Sequence, residues 1–471
     1  MQDAVQARLA AYAHTLNAGA IPPPTLHAAR VRVIDTLGAV LGGFDDEPNR
    51  IARALAADVP LAGGATLLGT ALKVPVDMAA FVNGTVARSA EINDVYHAPG
   101  SKNGHPSDVI MPLLAVAETT RTNGHDFLVA VVLAYEIYLR FANRFTNRAI
   151  DSTNFCCIGV AAASAKLMGL NREQIAEALA MAAVPNGALN QSRTGHLTMW
   201  KSVAAGQAGR AGVFAAQLAA KGMRGATEPF TGKHGWFEHI AKVAPGEITL
   251  DVMGGHATPF RINDTLIKPR MACLHTLAPI LAGEKAAAQL NGRLKEIEHV
   301  QVAVYRANER AVVSVDKTGG ADPHWHPDSR ETADHSVPYC VAATLLDGSV
   351  TQHSFDAAHL NSPALRGLLA VTELREDPAF TKAYEKHPVE YRCRVSVRLH
   401  GGQTVVGETG GEHGDLSDAK SDAEIAAKFR GFAGMRLGEA RANALLDRLW
   451  VIDALSDVAV LPPLLSFKAN G

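Results

Sequence analysis

The sequence predicts a mainly α protein: a large helical domain built from both ends of the chain, plus a smaller α+β domain between them. Three observations predict it. Apolar residues recur at helical spacing up to about residue 265, period-two alternation appears only after Lys268, and helical spacing resumes near the end. The 471 residues exceed what one hydrophobic core usually serves, so two domains are expected, with residues 1–265 and 406–471 in the first and 266–405 in the second.

Each element has its own reason. Val5, Leu9, Tyr12 and Leu16 share one face of a first amphipathic helix. Pro22–Pro24 interrupt the chain, and a second helix runs through Val31, Ile34 and Leu37 to Gly42–Gly43. Val109–Ala117 reads as an apolar helix. The longest apolar run, Phe127–Tyr135, is too short to span a bilayer and is closed by Glu136, so it reads as a buried helix. Small residues in Gly159–Leu170 and Ser202–Lys221 let helix axes approach closely. Beyond Lys268, Val300, Val302 and Val304 alternate as a strand does. Cys393, Val395, Val397 and Leu399 do the same ahead of a Gly401–Gly402 turn and Thr404–Val406, which predicts a hairpin. A helix around Val337–Leu346 lies between these strands. Ser421 and Glu424 have capping-box spacing, and Leu445, Leu446, Leu449 and Trp450 form a helical apolar face.

Composition narrows the function. With 45 basic and 47 acidic residues, a net charge of -2 and no run of one sign, nucleic acid and anionic membrane are excluded as main partners. A hydrophobic fraction of 47% with 6% aromatic points to an Ala/Val/Leu core of close-packed helices. Cys156, Cys157, Cys273, Cys340 and Cys393 are odd in number and match no CxxC framework, as in a reduced, cytoplasmic protein. The first residues lack the basic and apolar regions of a secretory signal. There is no P-loop, no G-x-G-x-x-G after a strand, no G-x-S-x-G elbow and no iron–sulfur spacing, so no cofactor is expected. His324 and His326 have no third ligand at a recognisable spacing, so no metal is expected either.

Four polar clusters carry the candidate chemistry. The most informative runs from Glu91 to Pro112, a Gly/Pro/Ser-rich loop holding Glu91, Asp94 and His105 between two helical segments. A surface turn with solvated side chains is the alternative. His105 precedes Pro106, which biases it to an extended backbone, and a histidine there can move protons near neutral pH. The second cluster, Gln191 to Lys201, gathers Arg193, His196 and Lys201 ahead of a helix N-terminus, as a polycarboxylate substrate requires. Its alternative is an exposed basic loop, against which Trp200 argues for partial burial. The third, Ile267 to His275, lies where the chain crosses between the two predicted domains; Lys268 can bind a carboxylate there, and Cys273 or His275 can move a proton. In the fourth, Arg330 to Tyr339, residues Asp334, His335 and Tyr339 either orient substrate or cap the following helix.

Six motifs, in order, resemble the MmgE/PrpD family over nearly the whole chain. They are Asp35 to Gly43 (DTLGAVLGG), Ala79 to Gly84 (AAFVNG), the acidic loop ending His105-Pro-Ser-Asp108, Lys201 with Gly206, the segment at Lys268, and Ala333 to Tyr339 (ADHSVPY) running into Leu345 to Gly348. That family comprises 2-methylcitrate dehydratases, cis-aconitate decarboxylases and an epimerase of amino-dicarboxylates. The resemblance implies a large helical domain with a smaller α+β lid, and a homodimer. It places the family's loop acid on Glu91, an acidic pair at Asn93 and Asp94, an often-present threonine at Val95, the loop histidine on His105 and the two lysines on Lys201 and Lys268. The histidine that follows the second lysine in decarboxylases falls closest to Cys273, with His275 two residues further, whereas Arg193-Thr-Gly ahead of Trp200-Lys201 looks more like the dehydratase branch. The expected activity is a cofactor-independent hydro-lyase acting on a hydroxy-polycarboxylate, 2-methylcitrate being the best guess, with cis-aconitate-type decarboxylation, epimerisation or carboxylate binding without turnover as alternatives. Elimination then uses His105 for proton transfer with Tyr339 or His275 as partner. Lys201, Lys268 and Arg193 hold carboxylates, and Glu91 and Asp94 orient His105.

Overall fold

Helices dominate the computed structural model, which describes residues 3–243, 250–255, 257–306 and 323–467. The protein is mainly α with a small α+β part, as expected. It divides into two compact units, one of residues 1–191, 202–267 and 420–471, the other of residues 192–201 and 268–419.

In the first unit Asp3 caps the helix Ala4–Thr15, accepting from the backbone N–H groups of Val5 and Gln6. The helix Pro23–Gly42 starts on its prolines, whose fixed φ and missing N–H suit a first turn. The central element is the helix Gly124–Arg144, buried without a break from Phe127 to Ala142. The helix Thr153–Leu167 packs beside it, and Gly159 is the reason they come so close. A Cβ there would sit 2.8 Å from the carbonyl oxygen of Ala134. The helices Val76–Ser89 and Trp200–Ala220 cross on another glycine pair: a Cβ on Gly206 would stand 2.3 Å from the Phe81 carbonyl oxygen. The chain's last helices, Asp422–Leu437 and Glu439–Trp450, return to this unit. The Ser421 hydroxyl and the Glu424 carboxylate form the capping box that their spacing foretold.

The second unit holds a four-stranded sheet in the order Thr372–Glu376, Ile297–Val304, Cys393–Leu399, Thr404–Thr409. The first pair is parallel and the others antiparallel, with Val302 opposite both Leu374 and Val395. The helix Leu274–Leu290 lies so close to the hairpin that a Cβ on Gly407 would fall 2.0 Å from the Ala282 carbonyl oxygen. The short strand Thr372–Glu376 was not foreseen, because Thr-Glu-Leu-Arg-Glu presents only two apolar-facing positions.

The boundaries differ from expectation at two places. The chain returns to the first unit at Lys420 rather than at residue 406, because Thr404–Thr409 completes the sheet by pairing with Cys393–Leu399. Residues 192–201, expected in the helical domain, belong to the second unit. Leu197 N–H donates to Thr332 Oγ1, and Ser329 Oγ donates to the Leu197 carbonyl.

The Gly206 crossing makes a paired prediction. Gly206→Ala destabilises the protein by about 1–3 kcal/mol, because the Phe81 carbonyl oxygen and the Thr85 hydroxyl of the facing helix both stand 2.3 Å from the new methyl. Gly431→Ala, on an exposed helix position with nothing within 4 Å, stabilises it by about 0.5–1 kcal/mol. Urea midpoints of the two variants against the parent decide both signs.

Candidate active site

The acidic loop of the first unit is built inward from buried charge. It follows the helix Val76–Ser89, whose last turn carries Arg88. Glu91 adopts a left-handed backbone, φ 52°, where a glycine is usual. That turn brings the Glu91 carboxylate back onto the Arg88 guanidinium, and both side chains are buried. Arg88 Nε is also 3.9 Å from the Asp108 carboxylate. A buried carboxylate needs such a partner, and the pairing offsets the strain of the turn.

The loop then holds His105 by a backbone bond. His105 Nδ1 lies 2.8 Å from the Asp94 carbonyl oxygen, so Nδ1 is the protonated nitrogen. Nε2 is left facing Glu91 Oε1 at 3.6 Å. The Asp94 carboxylate works elsewhere in the loop, accepting the Ser107 N–H at 3.0 Å and the Tyr135 hydroxyl at 3.0 Å. Asn93 donates to Ser107 Oγ at 2.9 Å, and Tyr96 pairs with Gly104 across the loop by backbone bonds. Lys428, from the returning end of the chain, donates to the Ile92 carbonyl at 2.9 Å and to Asp35 Oδ1 at 2.5 Å. Burial raises Asp35 from its ordinary range while the Lys428 ammonium opposes it. Asp94 therefore positions His105 with its carbonyl and the loop with its carboxylate.

The second unit carries the other cluster. Lys201 is 2% exposed, and its ammonium donates to both oxygens of Asp334, at 2.8 and 3.0 Å. His335 Nδ1 also meets Asp334 Oδ1, and it lies 3.2 Å from Lys201 Nζ because two donors share one acceptor. Burial lowers the imidazole while Cys273 raises it, Lys201 lowers it and Asp334 raises it; the result is a pKa up to about 9. Arg193 donates to the Lys201 carbonyl at 2.8 Å, and the Cys273 N–H to the Asp334 carbonyl at 2.9 Å. Lys268 is fully buried.

Several expectations change. Asp334 and His335 are not the cap of the following helix: Ser336 caps Val337–Asp347, accepting the Tyr339 N–H at 3.1 Å. The Tyr339 hydroxyl donates to the Ser354 carbonyl at 2.6 Å and its ring stacks on Phe355, so Tyr339 is a packing residue rather than a proton carrier. His275 is likewise tied to Tyr305, Nδ1 to hydroxyl at 3.0 Å. Trp200, expected to be partly buried, is 55% exposed, since neighbours on a helix point about 100° apart and Lys201 takes the inward direction. His196 is exposed, 3.8 Å from Asp328. Among the described residues no group of His, Cys, Asp and Glu has the arrangement of a metal site. No described helix is long and apolar enough to cross a membrane. Sequence reading missed Arg88 and Lys428. Arg88 was findable, three residues before Glu91 at helical pairing distance, whereas Lys428 lies 393 residues from Asp35 and left no local signal.

The MmgE/PrpD N-terminal domain model matches residues 7–248 and the MmgE/PrpD C-terminal domain model matches residues 271–452. The chain belongs to the MmgE/PrpD family. Among its relatives is a protein named cis-aconitate decarboxylase from Homo sapiens, 26% identical over 466 residues, covering 96% of this chain and 92% of that one. A 2-methylcitrate dehydratase from Cupriavidus necator is 28% identical over 380 residues, covering 76% and 74%. A 2-methylcitrate dehydratase from Salmonella typhimurium is 26% identical over 376 residues, covering 77% and 75%.

The shared carboxylate makes stability depend on pH with a definite sign. His335 is raised from 6.5 to about 9, so its contribution to stability is fully present below pH 6.5 and is lost as pH rises through about 9. In this MmgE/PrpD protein, the difference in urea midpoint between the parent and His335→Asn is therefore widest below pH 6.5 and closes by pH 9. A difference that grows with pH would reverse the assignment.

Proposed function

We propose that this protein is a hydro-lyase of small hydroxy-polycarboxylates, with 2-methylcitrate as the best candidate substrate. The observation that carries the reading is His105, a histidine held through Nδ1 by the Asp94 carbonyl, with Nε2 3.6 Å from the Glu91 carboxylate. Membership of a family whose relatives include proteins named 2-methylcitrate dehydratase supports it.

Elimination of water needs a base for the proton α to a carboxylate, an acid for the departing hydroxyl, and cations against the enolate-like charge that develops. In the neutral ring, Nδ1–H donates to the Asp94 carbonyl and Nε2 holds the lone pair, so His105 takes the proton. The imidazolium that forms faces Glu91, whose charge stabilises it. Lys201 and Lys268 are the cations for the substrate carboxylates. Arg193 acts through Lys201, whose backbone it holds. Homodimerisation, on the family resemblance, and a cytoplasmic location, on the unpatterned free cysteines, belong to the same proposal.

Decarboxylation of a cis-aconitate-like acid is the second reading, favoured by the human relative that aligns along 96% of the chain. The two differ in what leaves. Purified protein is incubated with 2-methylcitrate, citrate and cis-aconitate, with and without chelator, and products are followed by mass and by absorbance of the new C=C. Loss of water supports the hydro-lyase; loss of carbon dioxide transfers the assignment to the decarboxylase.

His105→Asn keeps the hydrogen bond to the Asp94 carbonyl and removes the base. It lowers kcat by about 10²–10⁴-fold with little change in KM or in melting temperature. Activity within a few-fold of the parent, in a folded variant, removes His105 from this role.

A further inference from the structure

The proton transfer assigned to His105 depends on how its ring is turned, and this inference rests on that reading and deepens it. His105 Nδ1 lies 2.8 Å from the Asp94 carbonyl oxygen. That carbonyl shares its peptide unit with the Val95 N–H, which donates to the Leu266 carbonyl at 2.9 Å. A peptide unit is planar, so the bond to Leu266 sets its tilt, while the position of Asp94 sets where the carbonyl stands. Asp94 is placed by its side chain. Its carboxylate is fully buried and accepts the Ser107 N–H on Oδ1 and the Tyr135 hydroxyl on Oδ2, each at 3.0 Å. Ser107 belongs to the same loop as Asp94 and moves with it. Tyr135 does not: it stands on the helix Gly124–Arg144, buried without a break from Phe127 to Ala142.

Tyr135 closes the longest apolar run of the sequence, Phe127–Tyr135, and its hydroxyl is the one polar side-chain group in that run. A phenol so placed costs stability unless it finds a partner, and a phenylalanine would fill the same space without needing one. Burial, and then the Asp94 carboxylate, hold the hydroxyl well above the ordinary phenol range, so it keeps its proton and donates. Arg32 and Asp35, on the helix Pro23–Gly42, lie within electrostatic reach of it. Lys428 reaches the loop two residues earlier, at the Ile92 carbonyl. The two anchors differ in stiffness. A lysine arrives on a flexible four-carbon stem, whereas a tyrosine has two torsions and here a packed ring.

We propose that Tyr135 is a positioning residue for His105: from the buried helix it sets Asp94, and through Asp94 the carbonyl that accepts Nδ1–H. It acts at one remove and has no contact with substrate in this role. A neutral ring released from that carbonyl carries its proton on either nitrogen, and only the form protonated on Nδ1 has the Nε2 lone pair that the proposed step uses. A misplacement of about 1 Å costs up to about 10²-fold in rate. Loss of one anchor among several is therefore expected to lower kcat by about tenfold.

Nitrogen-15 NMR of the histidine rings tests the link without any substrate, the His105 signals being identified by their loss in His105→Asn. The expected result in the parent is a ring proton on Nδ1 that exchanges slowly with solvent. Tyr135→Phe should instead show both tautomers and faster exchange. Tyr339→Phe also deletes the bond of a buried hydroxyl, to the Ser354 carbonyl, and should leave the His105 signals as they are in the parent. If Tyr135→Phe folds poorly, Asp94→Ala breaks the same link from its other end while keeping the backbone carbonyl, and should give the same mixture. With an active substrate, Tyr135→Phe lowers kcat by about tenfold and leaves KM close to that of the parent. Unchanged His105 signals in the folded variant, whatever its melting temperature, overturn the inference, and so does an unmoved kcat. Failure of every acid to turn over would sink the reaction proposed for His105, yet the ring signals would still decide the link.

Discussion

The Asp334 carboxylate is the point on which the second unit turns. It accepts from a lysine and a histidine that are both largely withdrawn from water, where a buried charge needs a partner. Holding one carboxylate in register with two cations requires the backbone on both sides to be fixed. The Cys273 N–H holds the Asp334 carbonyl, the Ser329 hydroxyl caps the helix Arg330–Ala333 just before it, and Ser336 caps the helix just after. Arg193 fixes the Lys201 carbonyl from the other direction. The short segment 192–201 joins this unit because its bonds to Ser329 and Thr332 deliver Lys201 to the carboxylate.

The first unit solves the same problem with a different part. Glu91 would be a buried anion at the end of an apolar helix, and Arg88 on that helix is its counter-ion. The cost is a left-handed turn at Glu91, which aims the carboxylate at both Arg88 and His105. Asp94 stitches the loop through its two oxygens, to Ser107 and Tyr135. Lys428 then reaches the Ile92 carbonyl within the loop from a helix that the chain forms more than three hundred residues later. A discontinuous unit follows naturally from this. The loop's hydrogen bonding includes a donor from the returning end of the chain.

Much of the fold was legible because it rests on local rules. The alternating valines of Ile297–Val304, the Gly401–Gly402 turn and the Ser421–Glu424 box each state their structure within a few residues. The boundaries near residues 192–201 and 406–419 were not, since they depend on pairing partners distant in sequence. Among the candidate residues, His105, Lys201, Asp334 and His335 lie in polar clusters whose residue types were informative by themselves. What those clusters lacked was valence. Sequence does not show that Asp94 presents a carbonyl to His105 and a carboxylate to Tyr135, or that the Tyr339 hydroxyl is already held by Ser354. Trp200 was misread for a related reason: one helix turn carries both an inward and an outward face, and residue type alone does not say which is which.

The two histidines illustrate how a fold gives one side chain two different settings. Each has its Nδ1 beside an oxygen acceptor. What differs is the acceptor. At His105 it is a backbone carbonyl, which accepts Nδ1–H from a neutral or a charged ring. A carboxylate favours the charged ring, and Asp334 together with Cys273 draws His335 toward it against burial and against Lys201. Glu91, 3.6 Å from His105 Nε2, is at the same time paired with Arg88. Arg88 is then the counter-ion that the buried Glu91 carboxylate needs beside His105.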